Sequence, residues 1–320
     1  MCLIRLLCWE LNIVTLRRDW GEKVMGRYGC ARFARSGAIA TFAVATLLQS
    51  SASAGNGANF VLYNQYTEEK GETEIKLFSD FSDGGKGEES YTAQLLEIEH
   101  GVTDYWTTTL YFEGDKIDGE DYEFGGFRFE NRVRLFDYGH FLNPVLYVEY
   151  EYLKPAHRYI LGVTGRTDED EGEEEGEEKA EHEIESRLIL GHDFTDRFNV
   201  AFNWLNETNL ESGTWEFGYA TGLNYTFYEA EGGGKGHASG RFHSKNWDVK
   251  ELILGIELYG GLGDSVLGLT LDPDKTKQYL GVNLRAELEN HIQLGIGGAF
   301  GLTDDSENAI LRLVAGYEFE

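Results

Sequence analysis

From Phe127 to Leu135 the chain reads FRFENRVRL, with apolar residues at 127, 129, 133 and 135 and charged residues at 128, 130, 132 and 134. A β-strand turns successive side chains to opposite faces, so this stretch has one greasy face and one ionic face. The same period of two recurs along the chain and predicts twelve strands, at 72–82, 90–101, 105–114, 122–137, 143–153, 182–194, 197–208, 213–229, 247–260, 277–289, 291–302 and 308–319. Most approach the length of about ten residues that a tilted strand needs to cross a bilayer. A soluble sandwich explains any one of them equally well, but twelve in succession favour a membrane barrel. A thirteenth alternating run, at 58–67, is expected to be a lead-in or edge segment, because barrels made of one bacterial chain have even strand counts.

The connections alternate as well. Counted back from the C-terminus, 289–291, 193–197 and 101–104 are short, whereas 261–275, 155–181 and 115–121 on the other side are longer. Short periplasmic turns and longer external loops are the outer-membrane habit. The glycine-rich connection 229–246 is long yet falls on the short side, which predicts either a missed strand or an unusual loop. The expected fold is therefore all-β: a closed antiparallel up-and-down transmembrane β-barrel of about twelve strands.

Parity assigns the faces. Leu146, Val148, Tyr150 and Tyr152 would meet lipid, as would Trp215, Phe217, Tyr219, Leu223, Tyr225 and Phe227, and Leu280, Val282, Leu284, Ala286 and Leu288. The inward set includes Arg128, Glu130, Arg132 and Arg134, then Tyr147, Glu149 and Glu151, then Glu183, Glu185 and Arg187. Other inward positions are nearly bare: Gly218, Ala220 and Gly222 on one strand, Gly295, Gly297, Ala299 and Gly301 on another. Bulk and charge on one side would fit the room left on the other.

Ahead of the strands, Arg27, Arg32 and Arg35 precede the apolar run 37–48, and a small-residue site at Ala52 and Ala54 follows. This is the form of a secretory signal, too short to span a membrane comfortably, and cleavage is expected after Ala54. Met25 would begin a signal of ordinary length, which makes residues 1–24 an upstream extension. The expected organisation is 1–54 removed, 55–71 a lead-in and 72–320 the barrel. All three cysteines (Cys2, Cys8, Cys30) precede the cut, which excludes a disulfide scaffold in the exported chain. Beyond residue 54 there remain 21 Lys+Arg against 53 Asp+Glu, a formal charge of −32. Nucleic acid is excluded as a partner for such a polyanion.

The segment from His291 to Phe319, HIQLGIGGAFGLTDDSENAILRLVAGYEF, resembles the closing hairpin of the Gram-negative outer-membrane proteins named after the meta-pathway of phenol degradation. That resemblance implies a porin-like or uptake role for hydrophobic or aromatic compounds, and it supplies no site residues. The run of alternating apolar residues from Ala309 to Phe319 also resembles the terminal strand by which barrel assembly machinery recognises its clients, although Glu320 follows the final Phe319.

For chemistry, Arg128, Glu130, Arg132, Arg134, Glu149, Glu151, Glu185 and Arg187 are the lumen candidates. They form either a salt-bridge network that fills the interior or a charged constriction in an aqueous channel, with Arg128, Arg132, Arg134, Glu149 and Glu151 at its narrowest point. The acidic block 168–185 reads first as a solvated external loop and second as a loose trap for divalent cations. His237-Ala238-Ser239-Gly240 has the residue types of an outer-membrane lipid hydrolase, and His237 with His243 offers two metal ligands, but a glycine-rich loop gives neither a fixed geometry. The functional expectation is an outer-membrane channel for small solutes, exported by a Sec-type route, with lipids and the assembly machinery as partners, no cofactor, no metal and no enzymatic activity. A non-transporting structural or surface-interaction barrel is the rival, and a lipid hydrolase comes third.

Overall fold

The computed structural model describes residues 59–85, 90–117, 119, 121–154, 164–166, 180–230 and 248–319. The twelve alternating runs form strands, and a short one not expected from the sequence, β10, joins them: β1 (Thr73–Ser82), β2 (Tyr91–Thr103), β3 (Trp106–Ile117), β4 (Glu123–Arg134), β5 (Asn143–Leu153), β6 (Glu181–Thr195), β7 (Phe198–Asn209), β8 (Trp215–Glu229), β9 (Val249–Asp264), the two-residue β10 (Gly268–Leu269), β11 (Gln278–Leu288), β12 (Ile292–Gly301) and β13 (Ala309–Phe319). Leaving β10 aside, each strand pairs antiparallel with the next along the chain, β9 with β11 included, and β13 pairs with β1 from Thr73↔Phe319 to Ser82↔Ile310. Twelve strands thus close into a ring, with β10 outside it as a short return against the end of β9. Closure leaves no open edge in the ring, so the backbone polar groups are satisfied within the sheet. There are no helices among the described residues.

The hairpin that carries the phenol-pathway resemblance is β12–β13, and its second strand makes the closing pair with β1. No strand is missing between β8 and β9, which pair directly from Glu216↔Asp264 to Glu229↔Glu251. The connection between them, residues 231–247, lies outside the described residues. At the tight turn between β11 and β12, His291 takes a positive φ of 65°. Gly126 (φ 156°) marks the bulge where β4 passes β3, and a Cβ there would run into the carbonyl of Tyr152.

The two faces separate by chemistry along most of the wall; Leu288, expected to meet lipid, is instead buried, because the register shifts between Glu287 and Leu288. Phe129, Val133, Leu146, Val148, Leu284 and Ile296 are exposed on the outside, whereas Arg128, Glu130, Arg132, Glu149 and Glu151 are buried within. This is the inverse of a water-soluble sandwich, in which apolar side chains pack into a dry centre.

The run at 58–67 neither joins the ring nor edges it. Residues 59–67 fold back from the start of β1 and lie inside the barrel, and all of them except Asn64 and Tyr66 are buried. Phe60, Val61 and Leu62 pack with Ala201, Leu205, Ala220, Tyr259, Tyr279 and Ala299 of the wall. The room left by the bare inward positions is occupied by this segment: a Cβ at Gly222 would stand 3.0 Å from Leu62 Cδ2, and one at Gly297 would stand 3.0 Å from Phe60 Cε2.

Candidate functional site

All eight lumen candidates point inward and are buried, but they stand at several levels. Arg128 lies within 3.0 Å of Glu113, 3.4 Å of Glu151 and 3.7 Å of Glu149. Arg132, two pairs further along β4, contacts Glu99 and lies 2.6 Å from Glu130. Arg187 holds Glu185 bidentately on its own strand, with Nη2 at 2.9 Å. Arg134 belongs to the rim, where it donates to the carbonyls of Asp104 and Phe136 and lies over the ring of Tyr138. Residues 128 to 134 climb β4 over roughly 20 Å at about 3.3 Å per residue, so they do not converge on one narrow point.

Register adds a relationship that parity alone does not give. Glu130↔Glu149, Glu149↔Glu185, Glu185↔Glu207 and Glu207↔Glu216 are directly opposed pairs, so five carboxylates run in line across β4 to β8. Like charges opposite one another on neighbouring strands repel. Arg128, Arg132 and Arg187 stand among them and offset part of that repulsion. Breaking such buried pairs one partner at a time is costly, about 3–5 kcal/mol in comparable cases. Among the described residues, three groups of carboxylates bring their oxygens within 4.8 Å of one another: Glu68–Glu74–Glu99, Glu149–Glu151–Glu185 and Glu151–Glu183–Glu207. They are the residues that could hold a hard cation. In the first two, Lys76, Arg128 and Arg187 already contribute the positive charge.

The inner segment is fixed by wall residues that the sequence reading did not single out. The carboxylate of Glu257 accepts the N–H groups of Phe60, Val61 and Leu62 at 2.6, 3.0 and 3.0 Å. Arg312 donates to the Phe60 carbonyl at 3.1 Å while its other nitrogens hold Asp80, and Arg187 donates to the Val61 carbonyl at 3.0 Å. Asn203 takes both the N–H and the C=O of Tyr63. Further toward the rim, Gln65 and Tyr66 donate to Asp193, and the Glu68 N–H donates to Thr107. Asn203, Glu257 and Arg312 were legible as polar residues at inward parity, but their purpose depends on an occupant that parity does not reveal.

Electrostatics keeps the segment neutral at its centre. Burial, reinforced by nearby Glu130, pushes the Tyr63 phenol well above its ordinary value, so it stays protonated and donates to Glu130 at 3.1 Å. Burial and Asp193 do the same for Tyr66. Glu68 is half-buried where the segment reaches the rim. Its carboxyl is raised above the usual carboxylate range by desolvation, which outweighs the opposing pull of Lys76 and Arg132.

The expected signal region (1–54), most of the acidic block (168–179) and the His237–Gly240 and His243 positions lie outside the described residues.

No known family profile matches the sequence, and no curated protein matches it. Among solved structures, the chain is similar to the KdgM porin in complex with disordered oligogalacturonate (10% identity, 77% of this chain and 99% of that one, TM-score 0.48). It is also similar to an outer membrane channel from Pseudomonas putida F1 (13% identity, 80% and 98%, TM-score 0.45). The NanC porin gives 9% identity over 77% and 99%, with a TM-score of 0.44.

Proposed function

We propose that this chain is a porin-like channel of the Gram-negative outer membrane, held closed by its own residues 59–67, and that its wall favours small cations once the segment withdraws. One observation carries the reading: an apolar exterior surrounds a charged interior whose centre is filled by a strip of chain that belongs to no strand. A barrel meant only as a scaffold could fill its middle with wall side chains. This wall instead has glycine or alanine at several of the positions the segment lies against, among them Ala201, Ala220, Gly222, Gly297 and Ala299. The line of carboxylates from Glu130 to Glu216 supports cation preference, since a ring of like charge along a pore raises the local concentration of counter-ions. Hydrophilic solutes suit these walls better than the hydrophobic or aromatic compounds that the hairpin resemblance implies.

The rival, a closed structural barrel, is favoured by one feature of the interior. The cavity beside the segment, lined by residues including Phe60, Tyr63, Glu97, Tyr111 and Arg312, is about 30 Å³, which is room for a water and not for a solute. Liposome efflux separates the two. Vesicles carrying a variant that lacks residues 59–68 are expected to release a small cationic dye quickly and vesicles with the intact chain slowly; equal slow release from both would support the scaffold.

A further inference from the structure

The barrel wall handles residues 60–63 as a receptor handles a bound peptide. All four N–H groups of these residues donate to side chains, three to Glu257 and one to Asn203. All four carbonyls accept from side chains: Arg312 for Phe60, Arg187 for Val61, Asn59 for Leu62 and Asn203 for Tyr63. Apart from Asn59, these partners are wall residues, each at most 3% exposed. Simple hydrophobic filling would not require wall side chains to match seven of these eight main-chain donors and acceptors, with Asn59 of the segment matching the eighth. Such matching reads the repeating order of an amide backbone, as strand-adding peptide sites do.

The side chains add selectivity at two places. The Phe60 ring sits 4.3 Å from the Arg312 guanidinium, and the guanidinium groups of Arg132 and Arg187 lie 5.0 and 5.1 Å from the Tyr63 ring. Both are cation–π placements that favour an aromatic ring over an aliphatic chain. Between them, Val61 and Leu62 are buried in an apolar cluster with the wall, where Leu62 comes up against Gly222.

We propose that the interior of this barrel is a receptor for extended peptides, uncharged and aromatic at the first and fourth of four positions, and that residues 60–63 are its tethered occupant. A peptide supplied from outside takes the same place when the tethered segment is gone. This deepens the channel reading by naming a ligand class, and it rests on that reading only for the block of current. In the intact chain the tethered copy competes at an effective concentration on the order of millimolar, so outside peptide is excluded.

The test uses the variant lacking residues 59–68 and a capped peptide with the sequence of residues 59–67, followed by calorimetry in detergent and by current in a planar bilayer. One-to-one binding is expected, at least tenfold weaker for an analogue whose amides at the Val61 and Leu62 positions are esters, and absent for maltohexaose and for the intact chain. No binding, or equal binding of the ester analogue, overturns the proposal. Binding without any current in the deleted variant would sink the channel reading and leave the receptor standing; current without peptide binding would do the opposite. Should the deleted variant not refold, the intact chain carrying a protease site in the exposed turn at Lys70–Gly71 is cut after folding, and exchange of the released segment for a labelled peptide gives the same readout.

Discussion

Asn203 pairs with Tyr63 as one strand residue pairs with another: the Tyr63 N–H donates to Asn203 Oδ1 at 2.7 Å, and Asn203 Nδ2 donates back to the Tyr63 carbonyl at 2.8 Å. A wall side chain thereby stands in for the backbone of a missing neighbour strand. Asn203→Ala leaves both groups of Tyr63 buried and unpaired, at about 1–3 kcal/mol each. Docking of the segment is expected to weaken by about 2 kcal/mol, roughly 30-fold. Hydrogen exchange across residues 59–67 should quicken accordingly while the strand amides keep their protection. Unchanged exchange in the segment would show that this pair does not hold it.

Steric eviction gives an independent route to the same state. A Cβ at Gly191 would collide with the Gln65 side chain and stand 2.9 Å from its backbone nitrogen, and one at Gly297 would press on Phe60. Valine is well suited to a strand, so Gly191→Val is expected to leave the barrel resistant to SDS while exposing the bonds after Phe60, Tyr63 and Tyr66 to chymotrypsin. Resistance of those bonds equal to that of the parent chain would contradict the packing.

The twelve strands were legible because a period of two needs only local information, and their observed limits follow the alternating runs closely. At the C-terminal end of β9, glycine is the reason for the difference: the strand continues to Asp264 through Gly260, Gly261 and Gly263, which carry no side chain to mark a face. The segment 59–67 also alternates, which made it readable as extended chain but not as the filling of the barrel. What lies inside is decided by β1↔β13 pairing between residues more than 200 apart in sequence. One clue was present. The bare positions Gly222 and Gly297 left volume unclaimed, and the charged wall opposite does not fill it, because Arg128, Arg132 and Arg187 are held to their own neighbourhood by Glu113, Glu130 and Glu185. The eight charged candidates were found by parity; their spread over several levels was not, since strand tilt is a property of the closed ring.

Protonation should tune the rim end of the segment. Glu68 faces Glu72, Glu74, Glu99 and Glu318 as well as Lys76 and Arg132, and its carboxyl is raised on docking because burial disfavours the charge. A raised value means that the docked state prefers the protonated form. The contribution is full below the undocked value, about 4.3, and is lost as pH rises through the docked value. Opening of the channel is therefore expected to increase with pH above about 4.3. In Glu68→Gln that dependence should flatten. A parent and a Gln variant with the same pH profile would remove Glu68 from the account.

Charge on the wall should set which ions pass. In the segment-deleted variant under a potassium chloride gradient, the reversal potential is expected to lie toward the potassium side and to shift toward zero in Glu149→Gln/Glu185→Gln, which removes two adjacent members of the carboxylate line. A reversal potential that favours chloride, or one the double substitution does not move, would separate the line of carboxylates from selectivity.

Single-channel recording of the intact chain beside the variant lacking residues 59–68, in the same planar bilayer and salt, bears most directly on the claim that the barrel is a channel stopped by its own chain. The intact protein is expected to sit closed with rare brief openings and the variant to hold a steady open level, restored to closure by the Asn59–Thr67 peptide. Identical current levels from the two proteins, whether open or silent, would contradict it.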